Sequence, residues 1–134
     1  MLTAAPAAAA GNPDFACKLR ETAAMYDSLK ALPPPLARMV QTKLGPIAER
    51  GAFYNATDVI QHPGPSRRFI RAGTTDHRRW FVWYEQGGIA YFKAIVVFAD
   101  VDGKGLRTTT QYSGGGQDDL CAATEAILNK RPRN

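Results

Sequence analysis

The sequence predicts an α+β domain in two layers: two helices, a four-stranded antiparallel meander and a C-terminal helix. Apolar residues recur at helical spacing between residues 13 and 51 and again after residue 118. Between them, β-branched and aromatic runs alternate with Gly-Gly and Asp-Gly turn signals. Strands joined by tight turns are antiparallel, so these observations exclude a doubly wound parallel sheet.

The size and composition of the chain fit one domain, which we assign to residues 12–134. The chain has 134 residues, 45% hydrophobic and 22% charged, so it can bury a core without a cofactor. No apolar run approaches the roughly 18 residues that a membrane-spanning helix needs. Residues 1–11 are interpreted as a disordered tail or the remnant of an export signal.

The N-terminal composition and the cysteines together favour export to the periplasm or the medium. MLTAAPAAAA is small and uncharged, and Ala8 and Ala10 before Gly11 resemble a signal-peptidase site. Cys17 and Cys121 form no C-x-x-C pair, so a disulfide between them is predicted instead of a redox or zinc motif. The alternative is a cytoplasmic protein with two free thiols.

The predicted helices follow from capping and spacing. Asn12-Pro13 begins the first, whose apolar face runs to Leu29 and which Pro33–Pro35 ends. The second carries Leu36, Met39, Val40, Leu44 and Ile47 on one face, and Gly45-Pro46 kinks or splits it before a stop at Gly51. In the last helix, Asp118 and Asp119 occupy the first turn, and the apolar stripe is Leu120, Cys121, Thr124, Ile127 and Leu128.

The strands are predicted at 67–73, 78–86, 89–98 and 105–112. Gly87-Gly88 is typical of a two-residue hairpin turn, and Asp102-Gly103 gives the next turn. Residues 53–60 fit either a short strand or an irregular connection.

A two-residue turn at Gly87-Gly88 would sort the central aromatics onto two faces. Tyr84 would pair with Tyr91 and Trp80 with Ile95, and opposed residues share a face. One face would then be a candidate binding face carrying Arg78, Trp80, Tyr84, Tyr91 and Lys93, because aromatics and cations are enriched at interfaces. The other would be the helix-packed core, with Phe81, Trp83, Ala90, Phe92, Ala94, Val96 and Phe98.

Two alternatives to this sorting remain open. The candidate binding face could be covered by the N-terminal segment or a loop. In addition, a simple register through Asp102-Gly103 places Arg107 and Gln111 on the core face, so either a bulge shifts the register or the core assignment is wrong.

No catalytic constellation, metal site or cofactor motif is predicted. His62 and His77 fall in loops, and the Asp100–Gly105 segment lacks the later acidic ligands of a calcium loop. Gly114–Gly116 has no lysine of the phosphate-binding kind after it. The expectation leans towards a non-enzyme, and the net charge of +5 fits a protein or anionic polymer as partner. Nucleic acid is the weaker alternative.

The order of elements resembles, in architecture alone and over residues 13–112, small exported modules of the β-lactamase-inhibitor kind. That resemblance implies an exported, non-catalytic binding domain. A cone-like sheet that encloses a small-molecule or enzymatic pocket is the alternative, since fold does not fix function.

Overall fold

The computed structural model describes residues 24–57, 63–75, 78–88, 91–100, 103, 105–114 and 120–129. Within them the chain forms strand β1 (Ala24–Tyr26), a 3-10 turn (Leu29–Ala31), helix α1 (Pro34–Leu44) and strand β2 (Arg67–Thr74). Strands β3 (Arg79–Gln86), β4 (Phe92–Ala99) and β5 (Arg107–Gly114) follow, and helix α2 (Leu120–Asn129) comes last. The α+β class with an antiparallel sheet is therefore confirmed.

The sheet has five strands in the order β1-β2-β3-β4-β5, where four were predicted. The extra strand is β1, which pairs with the end of β2, Ala24 facing Thr74 and Tyr26 facing Ala72. The first predicted helix is thus wrong over residues 24–29, because edge pairing with β2 prevails over the helical spacing of Tyr26 and Leu29. Its earlier part, residues 12–23, lies outside the described residues.

Helix α1 matches the second predicted helix at its start and ends earlier. Prolines occupy its first turn, where no N–H is needed, and its buried residues Leu36, Val40 and Leu44 recur every four positions. Gly45 then adopts a φ of 67° and ends the helix. The predicted continuation past Pro46 is wrong, because Ala48 instead forms a β-bridge with Arg68.

The pairing of β3 with β4 differs from the predicted hairpin by three residues. Gln86 faces Phe92 instead of Ile89, and Trp80 faces Phe98 instead of Ile95. Because side chains alternate, an odd shift turns β4 over relative to β3. The predicted division of the hairpin into two faces is therefore wrong.

Both faces of the sheet are buried, so the two-layer arrangement is also corrected. On one face Trp80, Val82 and Tyr84 pack with Phe69, Ala94, Val96, Phe98 and the buried stripe of α1. On the other, Phe81, Trp83, Ile95 and Val97 pack with Leu120 and Leu128 of α2. Each fully buried large side chain contributes about 1.5–3 kcal/mol relative to exposure.

Strand β5 contains a bulge, which is one of the two explanations that the sequence allows for the unexpected register of this strand. Val97 faces Thr110 while Phe98 faces Thr108, so Thr109 is the extra residue. The bulge shifts the pairing of β5 with β4 by one residue at this point. Helix α2 lies where the sequence predicts a helix, and Trp83 Nε1 donates to Thr124 Oγ1 at 2.8 Å. Over the described ranges, no helix is both long and apolar enough to cross a membrane.

Candidate functional site

The five residues of the predicted binding face do not form one surface. Trp80 and Tyr84 are 7% and 6% exposed and belong to the core under α1. The Trp80 ring lies 6.0 Å from that of Tyr26, and the Arg67 guanidinium lies 5.8 Å from the Tyr84 ring centre. These two aromatics are core residues, so the prediction that they face a partner is wrong.

The remaining three residues lie in separate places. Lys93 faces Glu85 across the β3–β4 ladder and is on the opposite side of the sheet from Trp80. Tyr91 lies in the connection before β4 and is 40% exposed. Arg78 is exposed just before β3, at the opposite end of the strand from Glu85.

The connection between β3 and β4 is positioned by an earlier stretch, residues 52–57, which we call the 52–57 segment. Gly87 N donates to Ser66 O at 2.7 Å and Gly88 N donates to Ala56 O at 3.3 Å. A Cβ on Gly87 would lie 2.1 Å from the carbonyl oxygen of Asn55, so only glycine permits this approach. The two glycines serve this contact instead of a tight hairpin turn.

That approach assembles a polar group, the Glu85 cluster, from Tyr54, Arg68, Glu85 and Tyr91. Glu85 Oε1 accepts from Arg68 Nε at 2.6 Å, across the β2–β3 ladder. Glu85 Oε2 accepts from both tyrosines, from Tyr91 at 2.7 Å and from Tyr54 at 3.2 Å. One carboxylate thereby connects two strands, the 52–57 segment and the β3–β4 connection.

Arg68 is held on a second side by the same segment. Its guanidinium carbon lies 4.3 Å from the centre of the Tyr54 ring, a cation–π distance, and Nη1 donates to the carbonyl of Ala52 at 3.1 Å. The side chain nevertheless remains 29% exposed, while that of Glu85 is 14% exposed. The guanidinium is therefore fixed in orientation and still accessible from solvent.

Both tyrosines of the cluster stay protonated at neutral pH. Burial, and then the charge of Glu85, raise the pKa of Tyr54 to about 12 against the opposing effect of Arg68. Burial, followed by the hydrogen bond to Glu85, also raises the pKa of Tyr91. Neutral phenols donate and the carboxylate oxygens accept, so every hydrogen bond at Glu85 has a matched partner.

The cluster is suited to binding more than to proton transfer. Both oxygens of Glu85 already accept hydrogen bonds, and phenols with raised pKa values are poor bases near neutral pH. Phe53 and Tyr91, which are 60% and 40% exposed, are the exposed large hydrophobic residues in the described part of the chain. Tyr91 belongs to the cluster and Phe53 precedes its member Tyr54 in the chain, and together with Arg68 they form what we call the recognition surface.

A shallow depression of about 490 Å³ near the 3-10 turn has a structural explanation. Glu49 Oε1 accepts the backbone N–H of Leu29 at 2.8 Å, and Asp27 pairs with Arg50 and Arg71. The acidic side chains there satisfy backbone donors and arginines. In the described ranges, no group of three or more His, Cys, Asp and Glu residues could hold a metal ion.

Several sequence-based expectations fall partly or wholly outside the described residues. Cys121 is half-buried on α2 against the core, and the described residues include no free thiol. Its predicted partner Cys17 lies outside them, so the disulfide stays a prediction. His62 and His77 lie outside them as well.

Sequence reasoning missed three members of the cluster: Tyr54, Arg68 and Glu85. Arg68 and Glu85 are opposite charges near the facing ends of two consecutive predicted strands, which was a usable signal. Tyr54 gave none, because the 52–57 segment has no regular secondary structure.

Comparison with known proteins adds no relative. The chain matches no protein-family model, no curated protein sequence and no solved structure.

Proposed function

We propose that this chain is a non-catalytic recognition domain that binds a protein partner through the recognition surface of Phe53, Arg68 and Tyr91. The observation that carries the proposal is that both exposed aromatic residues adjoin Arg68 through its own contacts. Tyr91 shares Glu85 with Arg68, and Phe53 lies between Ala52 and Tyr54, which both contact Arg68. Aromatic and arginine side chains are the residues that dominate binding energy at protein interfaces. Tyr91 is also held in place by its hydrogen bond to Glu85.

This proposal retains the non-catalytic binding function predicted from the sequence but assigns it to a different surface. The original face included Trp80 and Tyr84, whose burial removes them from any partner. The alternative of a pocket in a cone-like sheet gains no support, because side chains and helices fill both faces of the described sheet.

Capture followed by titration tests the proposed surface. The immobilised domain is used to isolate a partner from the native compartment, and the purified partner is then titrated by calorimetry. We expect Phe53→Ser to weaken binding by at least about tenfold, as for an interface hot spot. The matched control is Arg38→Ser, an exposed residue of α1, which should bind like the unmodified protein. Equal affinity of all three proteins would refute the proposal.

We also propose export to the periplasm or medium, supported by the N-terminal composition and the two cysteines. A Cys17–Cys121 bridge would close a loop of about 100 residues and stabilise the domain by roughly 4–5 kcal/mol in the chain-entropy model. Thiol titration of the denatured, unreduced protein should find no free thiol. Two titratable thiols would contradict the disulfide and remove the main support for export.

A further inference from the structure

We propose that Arg68 binds a carboxylate of an acidic peptide segment in the partner protein, an inference that rests on the proposed function. Arg68 uses Nε for Glu85 and one Nη1 hydrogen for Ala52, and no other residue in the described part of the chain accepts from it. A guanidinium carries more N–H donors than these two contacts use. The unused donors belong to a side chain that is 29% exposed.

The guanidinium is organised in advance for this role. Glu85 and the carbonyl of Ala52 fix two of its nitrogens, and the centre of the Tyr54 ring lies 4.3 Å from its central carbon. An arginine held in this way loses little side-chain entropy when an anion arrives. Its planar fork also matches the geometry of a carboxylate.

The charge of the surroundings favours an acidic ligand. The ion pair with Arg68 offsets the negative charge of Glu85, so that carboxylate does not stand unbalanced beside the proposed ligand. The whole chain carries +5. The ligand carboxylate is therefore attracted both by Arg68 and by the long-range field of the protein.

The exposed rings favour a peptide over an acidic polysaccharide. Phe53 has no polar group on its ring and is 60% exposed, so it is matched by an apolar side chain beside the acidic one. Tyr91 presents a second ring at the same site. We therefore assign the ligand as a protein segment in which an acidic residue neighbours an aromatic or aliphatic residue.

The test uses defined probes on the full chain. Fluorescence anisotropy compares a labelled peptide of alternating Glu and Tyr with the same peptide carrying Gln in place of Glu, and with an oligogalacturonate. We expect the Glu peptide to bind at least about tenfold more tightly than either comparator. Binding of the Gln peptide or the oligogalacturonate at equal affinity would overturn the inference, as would no binding of the Glu peptide up to about 1 mM.

Two substitutions locate the contact. Arg68→Gln should weaken binding of the Glu peptide by at least about tenfold, while Arg38→Gln on α1 should leave it unchanged. Arg68→Lys should recover part of the affinity, because it restores the charge without the planar fork. Equal effects of the Arg68→Gln and Arg38→Gln substitutions would overturn the assignment to Arg68.

A measurement on the unmodified protein covers the case in which Arg68→Gln unfolds. In an NMR titration with the Glu peptide, the side-chain Nε–H resonance of Arg68 and the backbone amides of Phe53 and Glu85 should shift. Absence of these shifts at saturation would overturn the inference. Loss of natural-partner binding in Phe53→Ser without loss in Arg68→Gln would refute the carboxylate contact alone, whereas retention in both would refute the proposed function as well.

Discussion

The hydrogen bond that joins α2 to the sheet gives a sharp test of the architecture. Trp83 Nε1 donates to Thr124 Oγ1 at 2.8 Å, and both residues are 0% exposed. Thr124→Val replaces the hydroxyl by a methyl group of similar size, so packing is nearly conserved. The indole N–H is then left in the interior without its acceptor.

The expected loss of stability follows from that isolated donor. A buried donor deprived of its partner costs about 1–3 kcal/mol. Because a domain of this size has a total stability of roughly 5–15 kcal/mol, the loss is a substantial fraction. The melting temperature should fall by several degrees, while the denaturant m-value stays unchanged because the same surface is exposed on unfolding.

Urea unfolding followed by far-ultraviolet circular dichroism measures the effect. The control is Thr109→Val at the exposed bulge of β5, where the hydroxyl donates to Val97 O at 3.3 Å. That change should stay within about 0.5 kcal/mol, as for ordinary surface substitutions. If Thr124→Val costs no more than Thr109→Val, the bond does not hold α2 against the sheet and the described packing of that face is refuted.

The other predictions concern Tyr54, the 52–57 segment and Trp80. The pKa of Tyr54 is near 12 in the folded protein and about 10 in the unfolded chain, so this tyrosine stabilises the fold up to about pH 10. That contribution, on the order of 1–2 kcal/mol after solvent screening, is lost as the pH rises towards 12. Tyr54→Phe should remove that step from the alkaline phenolate absorbance titration, and an unchanged titration would contradict it. Gly87→Ala should speed amide exchange in the 52–57 segment, because its Cβ would lie 2.1 Å from a backbone oxygen there. Gly103→Ala is strained by its φ of 76° but meets no atom within 4 Å, so it controls for a general loss of stability and should leave that exchange unchanged. Equal exchange in both variants would contradict the contact. Trp80→Ala should destabilise the domain by about 3–5 kcal/mol in urea unfolding. Unchanged stability of this variant would contradict the burial of Trp80.

The strands were predictable because their signals are local. The predicted ranges 67–73, 78–86 and 105–112 overlap β2, β3 and β5 to within about two residues at each end. β-branched and aromatic runs with turn residues between them determine where a strand lies. They do not determine the register in which one strand pairs with the next.

The register and the layering needed information that local sequence does not carry. Gly87-Gly88 suits a tight turn, but contacts with a segment about 30 residues earlier use those glycines instead. The run Trp80–Tyr84 is continuously apolar, a pattern typical of strands buried on both faces. The alternation between core and surface that the hairpin turn predicts for this run is therefore wrong, and with it the position of the predicted binding face.

The candidate site, too, was predictable from the sequence only in part. Tyr91 was selected as an exposed aromatic and is one. The group around it depends on the pairing of Arg68 with Glu85 and on the irregular stretch that carries Tyr54. Such sites arise where distant segments meet, so they become visible only once the register is known.

The burial of both sheet faces has a consequence for synthesis of the protein. The face that carries Phe81 and Trp83 is covered by α2, the last element of the described chain. While the chain is being made, α2 does not cover that apolar surface until residues 120–129 have emerged from the ribosome. We therefore expect a nascent chain of this protein to be prone to aggregation through that face until α2 packs on it.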